Sequence, residues 1–190
     1  MDNKEKIIQS TIKIIEENGE HLEEVTVRKI CKRAGVGLGL VNYHFKNKDN
    51  LIEICVERMM NDVVDNFHQI REKTEEHTPF EKLEYLGNMT LDFLFEHYAI
   101  SKMSILADMR TPKDNDNTNR TFSAYLPLVA ACCPDLDEQS IRRKTFCLIT
   151  VMQQMFLRND TVSKLMDIDL TKKENRKLWH TQVLHDILEV

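Results

Sequence analysis

At 190 residues with 42% apolar side chains, the chain has room for one large domain, or a small one beside a larger one, with a substantial core. Five glycines and four prolines are few for turn-rich β structure, and no run approaches the roughly eighteen apolar residues of a membrane span. The net charge of −5 is unevenly placed: residues 1–50 hold nine bases against eight acids, so the acidity belongs to the remainder.

The opening MDNKEKIIQST has no apolar secretory core, which predicts a cytoplasmic protein. Five cysteines (Cys31, Cys55, Cys132, Cys133, Cys147) form no CxxC pair and read as small buried hydrophobes rather than a disulfide framework. Residues 3–18 predict a first helix, with Ile8, Thr11, Ile12 and Ile15 on one face and Asn18-Gly19 as its stop. The polar run GEHLEE leads into TVRKICKRAGVGLGLVNYHFKNKDNL, from Thr26 to Leu51. There Val27, Ile30, Cys31 and Ala34 fall at i, i+3, i+4, i+7, one apolar helix face. Thr26 suits the N-cap, and Gly35 sits where a helix ends on a left-handed residue.

A second short helix is expected from about Leu38 to Phe45. Winding it at 3.6 residues per turn puts Val41 and Phe45 inside and Gly39, Leu40, Tyr43 and His44 outside, with Leu38 and Asn42 at the borders. An outward face of Leu, Tyr and His without an acid suits a surface that meets another molecule. From Thr26 to Asn50, six bases (Arg28, Lys29, Lys32, Arg33, Lys46, Lys48) stand against Asp49 alone. Such a local excess of cations is the electrostatic footprint of phosphate binding.

On these residues the chain resembles the TetR family of bacterial transcriptional regulators. The pattern runs TVRKIC, then AGVG, then VNYHFKNKDNL, with Tyr-His-Phe followed by Lys-x-x-Leu. The resemblance implies a helix-turn-helix head over residues 1–47 and a helical effector-binding and dimerisation domain over 48–190. It implies double-stranded DNA with a near-palindromic operator as partner, a homodimer, and a small-molecule effector whose binding releases a repressor. To the outward residues Gly39, Leu40, Tyr43 and His44 it adds Gly37, Leu38 and Asn42 as the surface that meets DNA, and it places Thr26, Arg28 and Lys48 at backbone-contacting positions. Tyr43 and His44 suit phosphates, and Asn42 or Leu40 base edges; packing of Tyr43 or His44 within the head is the plainer alternative. Asn42 and Leu40 stand where the family often has Tyr and Thr, so no operator sequence carries over.

Beyond the head, Asn47 is placed to cap a long helix over about 48–73, with Leu51, Cys55, Met59, Val63, Phe67 and Ile70 as its apolar stripe. About 25 residues span roughly 38 Å, long enough to act as a lever between head and body. Thr78-Pro79 predicts a helix start, and residues 79–97 are apolar nearly all round, as in a central element. A short helix over Ile100–Met109, a loop over 111–119 and an apolar helix over Ser123–Cys132 follow, Pro127 either kinking the last or marking its first turn. Helix Glu138–Arg158 comes next, and Thr171 with Glu174 predicts a capping box for the final helix. The fold class is all-α, about nine helices. Ile141, Leu148, Ile149, Met152, Met155 and Phe156, with Leu178, Val183, Leu184, Ile187 and Leu188, offer faces for a dimer bundle or for the monomer core.

Methionines suit an adaptable pocket as well as plain core filling. An effector pocket is expected among Met59, Met89, Asp92, Phe93, His97, Met103, Tyr125 and Met152, with Asn88 a further polar candidate. His68, His77, His180 and His185 lack metal-ligand spacing, and there is no phosphate-cradling glycine loop, GxSxG or HExxH. No enzyme, metal, cofactor or membrane role is therefore expected. The competing readings are a constitutive DNA binder without an effector, and a helical carrier whose head only mimics a reader.

Overall fold

The computed structural model describes residues 2–18, 24–59 and 76–189. Among them the chain forms helices and no strand: α1 (Asn3–Asn18), α2 (Val27–Ala34), α3 (Leu38–Phe45), α4 (48–59), α5 (Pro79–Glu96), α6 (Tyr98–Arg110), α7 (Asn117–Cys132), α8 (Glu138–Leu157), α9 (Asn159–Met166) and α10 (Lys173–Leu188). The expected continuation of α4 to residue 73, with Val63, Phe67, His68 and Ile70, lies outside the described residues.

Local chemistry sets most of the boundaries. Thr26 caps α2 by accepting the Lys29 N–H at 3.2 Å, and Gly35 closes it at φ 66°, where a side chain would be strained. Asn47 caps α4 through the Asn50 N–H at 2.8 Å. Thr78 and Glu81 form a reciprocal capping box in front of Pro79. Asp137 caps α8 through the Ser140 N–H at 3.0 Å.

Four expectations change. The loop expected over 111–119 ends early, because Asp116 accepts the Asn119 N–H at 2.8 Å and starts α7 at Asn117. Pro127 therefore lies inside a sixteen-residue helix, on its exposed side. The short helix α9 carried no start signal that was read. The capping box on α10 does not form: the Thr171 hydroxyl donates to Asp169 Oδ1 at 2.6 Å instead, and Lys172 takes the cap position without a side-chain bond. Arg176 holds that entry, donating through Nη1 to the carbonyls of Leu170 (3.3 Å) and Thr171 (2.8 Å).

Two hydrophobic clusters organise the molecule. The smaller joins α1, α2, α3 and α4 around Ile7, Ile15, Ile30, Val41, Phe45, Leu51 and Cys55, and it is completed by Ala99 and Ile100 from α6. The larger joins α5, α7, α8 and α10, with Ile105 of α6, around Leu83, Leu91, Tyr125, Leu148, Phe156, Trp179 and Leu184. One helix thus serves both cores. Further ties are the Lys113–Glu53 ion pair between the α6–α7 loop and α4, and His97 Nδ1 at 3.8 Å from Glu16 of α1.

Burial separates core from seam on the last long helices. Leu148, Ile149, Met152, Met155, Phe156, Leu184 and Leu188 are spent inside the monomer, while Phe146 (61% exposed) and Leu178 (56%) point outward. Burial also raises the thiols, Cys55 to about 12 and Cys132 to about 11, whereas Cys147 departs from expectation by lying exposed.

Candidate nucleic-acid interface

The geometry of α3 begins with its anchors. Val41 and Phe45, one turn apart, are fully buried in the small cluster and fix the helix's rotation. The opposite face then has no freedom to turn inward. Tyr43 is 81% exposed and Leu38 54%, and Gly37, Gly39 and Asn42 are exposed as well. Leu40 and His44, placed outward by the helical wheel, are only half-buried: Leu40 packs against the small cluster's edge, and His44 sits between Tyr43 (ring centroids 5.0 Å apart) and Phe45 (6.0 Å). Eight residues make barely two turns, so border positions share both environments.

The exit from α3 is tightly constrained. Lys46 adopts φ 66°, ψ −48°, and the Asn47 N–H donates to the Phe45 carbonyl at 2.8 Å, a γ-turn of the strained hand. Asn50 Nδ2 donates to that same carbonyl at 2.9 Å. α3 and α4 are therefore joined by two residues, with their relative direction locked by side-chain and main-chain bonds.

The cations divide into two groups. Lys29 pairs with Glu24 at 2.9 Å, and Arg33 grips Glu17 of α1 through both terminal nitrogens, Nη2 lying 2.6 Å from Oε1. The Arg33 guanidinium in turn holds the Glu17 carboxyl below its ordinary value. Those two bases stitch the head together. Among the described residues, Arg28, Lys32, Lys46 and Lys48 have no carboxylate partner. They flank the outward face of α3 in sequence.

Glycines 37 and 39 carry a separate signal. A Cβ built on either meets nothing within 4 Å, and neither has a positive φ. Their lack of a side chain answers no demand of the fold in this free molecule.

In the body, a cavity of about 50 Å³ opens between α5, α6, α7 and α8. Of the residues expected at an effector pocket, Phe93 and Met152 line it. Tyr125 is fully buried behind it, its hydroxyl donating at 2.7 Å to Thr90, which does line it. The rest lie elsewhere. Met59 and Met103 pack in the small cluster, and Met89 packs on the large one. Asp92 is drawn to α10 by Lys173 at 2.6 Å and Arg176 at 3.3 Å. His97 stacks on Phe93 with ring centroids 4.6 Å apart. Asn88 keeps its Oδ1 buried and unpartnered, away from the lining. Sequence reading missed Ser101, Ser104 and Asp108 of α6, a polar stripe at i, i+3, i+7 that could have been found from the spacing.

Residues 7–55 match the sequence model of the family described as bacterial regulatory proteins, tetR family. The chain is 27% identical over 99 residues to an HTH-type transcriptional regulator of Staphylococcus aureus strain MRSA252, a stretch covering 52% of this chain and 51% of that protein. A similar regulator from the bovine strain RF122 / ET3-1 is 27% identical over 106 residues, 56% of this chain and 52% of its own length. The chain thus spans about half the length of the curated relatives it matches. A solved TetR-like transcriptional regulator from a Rhodococcus species superposes with a TM-score of 0.64 at 11% identity, over 95% of this chain and 92% of that one. A tetR-family regulator from Streptomyces coelicolor gives 0.61 at 16% identity, over 97% and 78%. At these identities the structural likeness concerns the fold.

Proposed function

We propose that this chain, matched over residues 7–55 by the tetR family model, is a TetR-type regulator: a cytoplasmic, sequence-specific DNA-binding repressor, without enzymatic activity, released from its operator by a small ligand. The observation that carries the reading is the outward face of α3, which presents Leu38, Gly39, Asn42 and Tyr43 to solvent while Val41 and Phe45 anchor its back. Such a helix fits a major groove, about 12 Å wide. Thr26 contributes in a second way. Its oxygen accepts from Lys29 N, leaving its proton for an outside acceptor such as a phosphate. Arg28, Lys46 and Lys48 add cations without a carboxylate partner among the described residues, and bare Gly37 and Gly39 let a DNA backbone approach closely.

One short helix reads only a few base pairs, so the working unit is a homodimer on a near-palindromic site, with recognition helices about 34–36 Å apart. Phe146 and Leu178, exposed on α8 and α10, support a seam on those helices. For effector release, α6 supports a path. Its Ala99 and Ile100 sit in the head's core, and its Ser101, Ser104, Ile105 and Asp108 line the cavity. A ligand shifts the heads only by its differential affinity for two arrangements of that helix.

Selection of DNA sites by the purified protein tests the reading. Asn42→Ala is expected to change which sites are preferred, at about 1–3 kcal/mol for its own base pair. Lys48→Ala is expected to weaken all sites alike and flatten the salt dependence by roughly one charge. If both variants scale every site by one common factor, Asn42 does not read bases.

A further inference from the structure

The cavity between α5, α6, α7 and α8 is lined by Ser101, a buried hydroxyl whose oxygen has no hydrogen-bond partner. Helical Ser and Thr hydroxyls, buried or not, can donate to the carbonyl four residues back. Thr11, Thr90, Thr121, Ser123, Thr145 and Thr181 all do so here, at 2.7–3.0 Å. Ser101 does not. Its side chain is fully buried, its Oγ has no hydrogen-bond partner, and it lines the cavity. A buried hydroxyl without a partner costs on the order of 1–3 kcal/mol, so one turned away from its own helix and into a cavity points to a missing acceptor.

Ser104 stands three residues on, on the same stripe. Its oxygen accepts from Asn117 Nδ2 at 2.8 Å, and its proton also has no acceptor among the described residues. Two hydroxyl donors three residues apart line the same cavity, a spacing that places them as neighbours on one helix face and suits a ligand oxygen with two lone pairs. The remainder of the lining decides what carries that oxygen. Phe93, Leu94, Ile105, Ile149 and Met152 form an apolar wall. The two charged residues of the lining, Asp108 and Arg120, cancel in formal charge, so the site selects for no net ion. Asp108 is also committed, accepting both the N–H and the hydroxyl of Thr118 at 2.9 Å. The volume of about 50 Å³ is well below the roughly 300–1,000 Å³ of a drug-sized pocket.

We propose that this cavity binds a compact, uncharged carbonyl compound, whose oxygen accepts hydrogen bonds from Ser101 and Ser104 while its apolar body lies against Phe93, Ile149 and Met152. The proposal deepens the effector reading above and rests on it for its biological meaning, but not for its chemistry.

The test uses the full chain and four probes: cyclopentanone, γ-butyrolactone, cyclopentane and cyclopentylamine. Binding is followed by ligand-observed NMR and calorimetry, with Ser101→Ala and Ser104→Ala as variants. Cyclopentanone or the lactone is expected to bind, and Ser101→Ala is expected to weaken it about tenfold, the loss of one hydrogen bond. Because Ser101 lacks a partner in the free protein, the same variant is expected to leave the unliganded melting temperature unchanged or slightly higher. A purely structural hydroxyl would lower it, and that result overturns the proposal. Equal binding of cyclopentane removes the carbonyl, tighter binding of cyclopentylamine removes the neutral charge, and failure of both carbonyl probes at millimolar concentration removes the site. DNA binding is measured separately on unliganded protein. Its loss with carbonyl binding intact would sink the regulator and spare the cavity; the reverse would leave a DNA binder without this ligand.

Discussion

Gly87 is the position at which a single methyl group tests the packing of the body most directly. It lies mid-way along α5, and an added Cβ would fall 2.0 Å from Cε1 and 2.1 Å from Nε2 of His180 on α10. Carbon atoms in contact sit about 3.5–4.0 Å apart, so the ring must retreat by roughly 1.5 Å. His180 is fully buried and has nowhere to swing, so α5 and α10 must part or the ring must leave its well. Overpacking of this kind costs about 1–3 kcal/mol, and a displacement this large belongs at the upper end. Replacing glycine by alanine inside a helix returns about 1 kcal/mol. Gly87→Ala is therefore expected to destabilise by about 2 kcal/mol, which for a chain of this size lowers the melting temperature by roughly 4–8 °C. Urea titration and calorimetry on Gly87→Ala, His180→Ala and the double variant measure it as a cycle. With the ring gone, the alanine should become stabilising, and the two substitutions should couple by about 3 kcal/mol. If Gly87→Ala stabilises the otherwise unchanged protein, the ring does not occupy the space against α5.

Burial depresses His180 to about 4 from an ordinary 6.5, and neither ring nitrogen has a hydrogen-bond partner. Above pH 6.5 folded and unfolded forms are both neutral there; between 6.5 and 4 the unfolded chain takes a proton that the fold refuses. Stability is thus expected to fall with acid across that window, by about 3 kcal/mol in all, and His180→Leu should flatten this part of the pH profile of urea midpoints; an unchanged slope would assign the acid sensitivity to other groups. In the head, Gly39→Ala meets open space and should raise stability by up to about 1 kcal/mol. The same variant should weaken operator binding at least tenfold in a gel-shift titration, and full retention of affinity would mean that no DNA backbone comes near that position.

What the sequence made legible was whatever depends on residues within one helical turn. Thr26 and Gly35 bracket α2, Val41 and Phe45 anchor α3, Asn47 starts α4, and Thr78-Pro79 starts α5, because capping and anchoring are short-range events. The same logic failed where a neighbour competed. Thr171 had the spacing of a capping box, but Asp169, two residues back, captured its hydroxyl. Asp116 sits in a polar run that looks like loop, although its carboxylate starts α7, and Pro127 lies on the exposed side of that helix. On α8 and α10 the sequence left core and seam undivided for a different reason. Their periodicity is the same whether an apolar residue meets its own core or a second copy, and only burial separates Leu148 from Phe146.

The cavity was the least legible part, and the reason lies in what joins the two cores. A lever was expected in the helix after α3, since that helix follows the reading element directly. That helix beyond residue 59 lies outside the described residues, and among those described a further connection, longer in sequence, runs through α6. Ile100 enters the head's core against residues some fifty to ninety positions earlier, while Ile105 on the same helix enters the body's. No periodicity within α6 distinguishes those two destinations, because both residues are simply apolar. The polar stripe between and beyond them was visible, yet its meaning depends on α5, α7 and α8 leaving space beside it. Methionines signal soft walls wherever they pack, whereas the feature that marks this cavity is a pair of hydroxyls, on Ser101 and Ser104, whose protons have no acceptor among the described residues. A helix that packs on the head at one end and lines a cavity at the other offers a direct route between them: on the proposed reading, a ligand that displaces Ser101 also displaces Ala99 and Ile100, its near neighbours on the same element.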